Sequence, residues 1–285
     1  MPAAAAEPLE FISAGVRIRG DRFAAEDEVG VALLLHGGGQ TRHSWRSTAR
    51  VLSTHGWTSV TLDARGHGDS AWAADGDYSM DAFVGDVSTL VDALGVTPVL
   101  IGASLGGLAS MIAVGEGRVQ ARAMVLVDVV PRLEQAGVDR IMTFMRSHPD
   151  GFASLEEVAD AVASYNPHRP RPANLEGLKK NVRRRADGRW HWHWDPEFLN
   201  FGDEPSRAQG EERLVRAAGR VRVPTLVMRG GESDVVSDAG ATELLDLIPG
   251  SRQAAVAKAG HMIAGDDNSV FARELLGFLA ELPAD

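Results

Sequence analysis

Apolar positions in this chain follow two rhythms that alternate along its length. Short apolar runs at Val31–Leu35, Trp57–Leu62, Pro98–Ile101, Ala123–Val127, Thr225–Met228 and Gln253–Val256 read as strands, three of them followed directly by Gly or Asp. A β-rich stretch over Glu10–Phe23 predicts an N-terminal hairpin. Between these runs the spacing becomes helical. Met80–Leu94 is the clearest case, with Phe83, Val84, Val87, Leu90, Val91 and Leu94 on one face and Gly95 where a helix would stop. A last helix is predicted over Ser269–Leu282. Regular alternation of strand and helix predicts a mostly parallel sheet covered on both faces. No internal repeat is present.

The alternation breaks between Pro131 and Arg220, a segment rich in Arg, Pro and Trp. It reads as an insertion, which divides the chain into a core of residues 1–130 and 222–285 and a mainly helical cap of 131–221. Asn166–Pro172 is rich in helix breakers and reads as a linker within it. Asp187-Gly188 is a turn signal, and Trp190, Trp192 and Trp194 then alternate with His191 and His193. Period two predicts a hairpin with the indoles on one face, either packing the cap onto the core or roofing a pocket, and the histidines on a solvent face. His191, His193 and Asp195 would share that face, but histidines alternating with Trp at a surface do not define a metal site, and none is expected.

Composition narrows the classes. A chain of 285 residues can bury a sizeable core. It has no cysteine, which excludes disulfides, thiolate metal sites and a cysteine nucleophile and fits a reducing compartment. Its N-terminal residues lack the basic and apolar segments of a secretion signal, and no apolar run reaches the length of a membrane span, so a cytoplasmic location without membrane partners is expected. A formal net charge of −10 argues against nucleic-acid binding. Within that acidic chain, His168–Arg189 carries eight Lys or Arg residues opposed only by Glu176 and Asp187. Two readings stay open for it: a basic face docked on the acidic core, or a site for an anionic substrate group.

Four motifs carry candidate chemistry. Gly102-Ala103-Ser104-Leu105-Gly106 lies between a strand and a helix, the context in which Gly-x-Ser-x-Gly forms a nucleophile elbow. Leu34-Leu35-His36-Gly37-Gly38-Gly39 and Asp63-Ala64-Arg65-Gly66-His67-Gly68-Asp69 each follow a strand. Gly231-Glu232-Ser233-Asp234 and Gly260-His261 come late in the chain. Together these resemble the α/β-hydrolase superfamily, in its capped serine-hydrolase branch. The resemblance implies an α/β-hydrolase fold: a central, mostly parallel sheet flanked by helices, with an inserted cap. It also implies Ser104 as nucleophile, His261 as base and Asp234 as the acid that orients the base, in the family's Ser, acid, His order. Asp128, which ends the strand Ala123–Val127, is the alternative acid; its other role would be to hold the loop leading into the cap.

An acyl-transfer enzyme needs fixed donors for the developing oxyanion. By resemblance these are the backbone amides of Leu105 and Gly38, with Gly39 as a further candidate beside the substrate. His36 and His67 are expected to be structural hydrogen-bonders. Aspartate nucleophiles of this superfamily are excluded by Ser104, and carbon–carbon hydrolysis is disfavoured by Ala103 and Met262 where those relatives carry Asn and Trp. The expectation is a cofactor-free carboxylic-ester hydrolase acting on a small or medium acyl substrate, as a monomer or homodimer. Thioesterase, lactonase and perhydrolase action, and a ligand-sensing protein on the same fold, are the alternatives.

Overall fold

The computed structural model describes residues 4–165, 171–200, 204–256, 260–261 and 269–283. Within them a single eight-stranded sheet organises the core, in the order β1-β2-β4-β3-β5-β6-β9-β10. Its strands are β1 (Glu7–Ser13), β2 (Val16–Phe23), β3 (Gly30–Leu35), β4 (Trp57–Leu62), β5 (Val99–Ala103), β6 (Ala123–Val127), β9 (Thr225–Gly230) and β10 (Arg252–Val256). The hairpin β1–β2 and the pair β2–β4 are antiparallel, and the remaining pairs are parallel.

The central strands are apolar on both faces because both are covered. In β3, Ala32 and Leu34 belong to one core cluster, and Val31, Leu33 and Leu35 to the other. Helices α1 (Arg46–Ser53) and α8 (Ser269–Ala280) close the first face with Leu52, Phe271, Leu275 and Phe278. Helices α2 (Met80–Leu94), α3 (Leu105–Gly115) and α7 (Asp238–Leu247) close the second. The ends of α2 follow from its sequence. Ser79 Oγ accepts the Ala82 N–H at 3.2 Å, and Gly95 takes φ 64°, the left-handed conformation that glycine tolerates at a helix end.

Between β6 and β9 lie α4 (Gln135–Met145), α5 (Leu155–Tyr165), the hairpin β7 (Val182–Arg184)–β8 (Trp190–Trp192) and α6 (Glu204–Ala218). The hairpin forms as the Asp187-Gly188 signal predicts, pairing Val182 with Trp192 and Arg184 with Trp190. Helix α6 packs on α3, where a Cβ at Gly115 would collide with the Ala217 carbonyl, so the end of this segment belongs to the core layer. Residues 166–170 of the breaker-rich linker lie outside the described residues. No helix among the described residues is long and apolar enough to cross a membrane.

Candidate active site

Ser104 sits on the turn from β5 into α3 with φ 44° and ψ −115°. A non-glycine residue at positive φ costs on the order of 1–3 kcal/mol, held here by the packing around it. The flanking glycines are what let the chain turn so tightly. A Cβ on Gly102 would lie 2.5 Å from the Gly106 carbonyl oxygen, and one on Gly106 would lie 2.5 Å from that of Leu35. The Ser104 N–H donates to the Val127 carbonyl at 3.1 Å, and the Gly106 N–H to the His36 carbonyl at 3.2 Å. Both neighbouring strands thereby hold the elbow.

Asp128 stands one residue past β6, level with Ser104, because Ala103 and Val127 are register partners. It too has positive φ, 48°. Its carboxylate is buried and fully engaged. Oδ1 accepts the Gly230 N–H at 3.0 Å; Oδ2 accepts from Ser233 Oγ at 2.6 Å and from His261 Nδ1 at 2.7 Å. Ser233 Oγ in turn accepts the amides of Val235 and Val236 at 3.2 and 3.1 Å, so its proton is directed at Asp128.

The expectation that Asp234 contacts His261 is therefore corrected. Asp234 lies four residues beyond β9, on a loop that runs outward to α4, and its Oδ2 pairs with Arg140 at 2.9 Å in a half-exposed ion pair. A Cβ on Gly137 of α4 would collide with the Asp234 carbonyl, so this loop is the seat of α4. The strand order explains which carboxylate reaches His261: β6 is the immediate neighbour of β5, whereas β9 is one strand further from Ser104.

The three glycines after His36 have separate fates. The Gly37 N–H donates to Gln40 Oε1 at 3.2 Å, and the Gly39 N–H to His67 Nε2 at 3.1 Å. No hydrogen bond among the described residues engages the amides of Gly38 or Leu105. Gly39, the other candidate near the substrate, thus has its donor occupied. Gly37 passes so close to the elbow that its Cβ would stand 3.2 Å from that of Ser104.

Ser104 and His261 both line one cavity of about 1220 Å³, with Gly38, Gly39 and Leu105. Its walls come from the core and from α4, α5 and the hairpin segment, including Leu108, Ile141, Met142, Trp192 and Trp194. Trp192 and Trp194 stack at 4.9 Å and contribute to the roof, whereas Trp190 is not among the lining residues. The histidines between them are not on a solvent face: His191 is 8% and His193 2% exposed. His191 Nε2 meets Asp187 Oδ2 at 2.8 Å, and the Tyr78 hydroxyl donates to Asp195 Oδ2 at 2.5 Å, so His191, His193 and Asp195 serve three different partners.

His193 belongs instead to a row of buried rings, with centroids 5.3 Å apart for His36–His67 and 5.8 Å for His67–His193. Each ring stands between one backbone carbonyl and one backbone amide. His36 Nδ1 donates to the Gly37 carbonyl and Nε2 accepts the Ala64 N–H. His67 Nδ1 donates to the Arg65 carbonyl, and Nε2 takes the Gly39 amide. His193 Nδ1 accepts the Gly68 N–H at 2.8 Å, and Nε2 donates to the Gly39 carbonyl at 3.2 Å. A ring with one donor and one acceptor so engaged is neutral. Burial lowers the proton affinity of all three, that of His67 to about 3.

A family model for the alpha/beta hydrolase fold matches residues 31–267. The chain belongs to the α/β-hydrolase fold family. This α/β-hydrolase is 29% identical over 245 residues to an esterase of Mycobacterium tuberculosis, an alignment covering 82% of this chain and 77% of that one. It is 29% identical over 218 residues to a 3-hydroxybutyrate-oligomer hydrolase of Cupriavidus necator, covering 72% of this chain and 73% of the relative. A solved structure of the M. tuberculosis esterase matches with a TM-score of 0.78 at 26% identity, over 98% of this chain and 93% of that one. Sequence reasoning on this α/β-hydrolase passed over Ser233 and the place of His193. The sequence shows Ser233 only as a hydroxyl three residues past a strand; that this strand adjoins the one ending before Asp128 comes from the sheet order.

Proposed function

We propose that this chain is a serine hydrolase that cleaves carboxylic esters through an acyl-enzyme, with Ser104, His261 and Asp128 as its triad. The observation that carries this reading is the 2.7 Å contact from Asp128 Oδ2 to His261 Nδ1, made where His261 and Ser104 line the same cavity. A carboxylate on Nδ1 fixes the tautomer in which Nε2 is free to accept a proton. In the first half-reaction Ser104 Oγ attacks the ester carbonyl as its proton passes to His261 Nε2. The oxyanion is met by the amides of Gly38 and Leu105, the latter at the positive end of α3. His261 then protonates the departing alcohol, and water deacylates Ser104 by the same route in reverse.

The similarity to the esterase of M. tuberculosis and to the 3-hydroxybutyrate-oligomer hydrolase of C. necator supports ester hydrolysis as the reaction class. The cavity exceeds the roughly 300–1000 Å³ usual for small-molecule pockets, which favours a substrate with an extended acyl chain. The segment carrying α4, α5 and the hairpin acts as the cap over it. The test is Ser104→Ala, with labelling of the unaltered protein by a serine-directed organophosphonate. Turnover of a p-nitrophenyl ester should fall by about 10⁴–10⁶ in the variant, and the label should reside on Ser104. Hydrolysis retained by Ser104→Ala, or a label elsewhere, rejects the reading.

A further inference from the structure

Most of the basic segment noted in the sequence is spent on local contacts. Arg171 pairs with Asp160, Lys179 with Glu176, and Arg183 with Asp69. Arg184 and Arg189 bond backbone carbonyls, and Arg185 lies over the Trp72 ring. Among the described residues of this segment, Lys180 is the cation left without a partner, and it lines the cavity that holds Ser104.

Four polar side chains line the cavity beside it: Thr41, His43, Ser44 and Asn181. Among the described residues none of the four makes a side-chain hydrogen bond or ion pair. Thr41 is only 3% exposed, yet its hydroxyl is not among the sealed atoms without a partner, so what remains accessible of it opens on the cavity. His43 Nδ1 is buried and unbonded. That atom is sealed from solvent and cavity alike, but the Thr41, Ser44 and Asn181 side chains keep accessible, unbonded polar atoms that are free to meet a polar group of a ligand. Thr41, His43 and Ser44 share one turn, Arg42–Trp45 with its preceding residue, and Lys180 lies close enough to lower the proton affinity of His43, behind the larger effects of burial and Arg42. Asn181 is held here through its carbonyl, which accepts the His193 N–H at 3.2 Å.

Elsewhere the lining is largely apolar, with Leu108 of α3, Ile141 and Met142 of α4, Val162 of α5 and Leu214 of α6, although Asp139, Arg207 and Glu211 of the same helices also reach it. The loop Gly37–Thr41 leads from Ser104 to the polar residues, and a substrate whose acyl chain lies among the apolar side chains would set its alcohol there. One ammonium among neutral donors matches a single negative charge. We propose that Thr41, His43, Ser44, Lys180 and Asn181 form a subsite for a carboxylate on the alcohol portion of the substrate, so that the preferred substrates are O-acyl esters of hydroxycarboxylic acids. This rests on the triad reading above and specifies its substrate class.

The test uses a matched pair, 4-hexanoyloxybutanoate and its primary carboxamide, which differ in charge and little in size. Calorimetric binding to the Ser104→Ala protein needs no turnover. The carboxylate should bind roughly tenfold more tightly than the amide, as charge-assisted hydrogen bonds allow. That ratio should fall to near one in Ser104→Ala carrying Lys180→Met, return with Lys180→Arg, and shrink with Thr41→Val. An equal affinity of the Ser104→Ala protein for the two esters, or a preference that survives both Lys180→Met and Thr41→Val, overturns the subsite. Failure of the triad reading shows separately, as hydrolysis of either ester by Ser104→Ala.

Discussion

Asp128→Asn is the substitution with the most definite expected outcome, because every lone pair it disturbs is accounted for. Oδ1 faces the Gly230 N–H, and Oδ2 faces Ser233 Oγ and His261 Nδ1. An asparagine must keep its oxygen toward Gly230, since a buried N–H cannot be abandoned and its NH₂ cannot accept. The NH₂ then takes the place of Oδ2. Ser233 Oγ already accepts from two amides and cannot readily accept a third, and His261 Nδ1 can meet an NH₂ only by giving up its proton. The imidazole proton moves to Nε2, where it blocks acceptance from Ser104. A wrong tautomer of this kind costs about 10⁴ in kcat in a serine triad, close to 5 kcal/mol of transition-state stabilisation. Asp234→Asn loses only a half-exposed pair with Arg140, worth about 0–1 kcal/mol of stability, and should keep kcat within about twofold. Steady-state hydrolysis of a p-nitrophenyl ester, with melting curves to establish that each variant is folded, separates the two. If folded Asp128→Asn retains a tenth or more of kcat while Asp234→Asn loses a hundredfold, the acid assignment is wrong.

Two further outcomes follow from groups around Ser104 and Asp128. Ser233→Ala removes a hydrogen-bond donor to Asp128 Oδ2 and leaves more of the carboxylate charge to His261, so the acidic limb of the pH–rate profile should move to higher pH, with recovery in Ser233→Thr; an unmoved limb would mean that Ser233 serves only the fold of its loop. The neutral rings of His36, His67 and His193 should also make the fold sensitive to acid. Their folded proton affinities lie below the unfolded value of 6.5, so the stability they hold is complete above that pH and drains as pH falls toward about 3 for His67, at up to about 1.4 kcal/mol per pH unit for each ring. Urea midpoints between about pH 7.5 and 4.5 measure this, and a flat profile over that range would refute it.

What sequence could reveal depended on how local the determining contacts are. Trp57–Leu62, Ala123–Val127 and Met80–Leu94 have the bounds their patterns predict, because burial of each strand and the capping of the helix are encoded within the segment itself. The elbow was legible for the same reason: its glycines clear carbonyls contributed by Gly106 and the adjacent strand. The choice between Asp128 and Asp234 was not local. Both follow strands, both fall between the serine and the histidine, and only the neighbour relation of β5 and β6 places one of them beside the base. His193 was less legible still. Its partners Gly68 and Gly39 lie 125 and 154 residues away and are backbone groups, which leave no pattern in side-chain type. The alternation of Trp and His suggested one wet face, but the strand enters a crevice where both faces are covered.

The double engagement of Gly39 limits how modular this hydrolase is. Its amide is held by His67 from the core, and its carbonyl by His193 from the inserted segment, whose other ring nitrogen takes the Gly68 amide. A loop beside Ser104 therefore draws half of its support from a part of the chain that is usually pictured as interchangeable. Exchanging that insertion for another of the same length would strand one carbonyl and one amide at once. A chimaera built on this scaffold would have to import a ring, or another group that donates and accepts across the same gap, before any redesigned pocket above it could be judged.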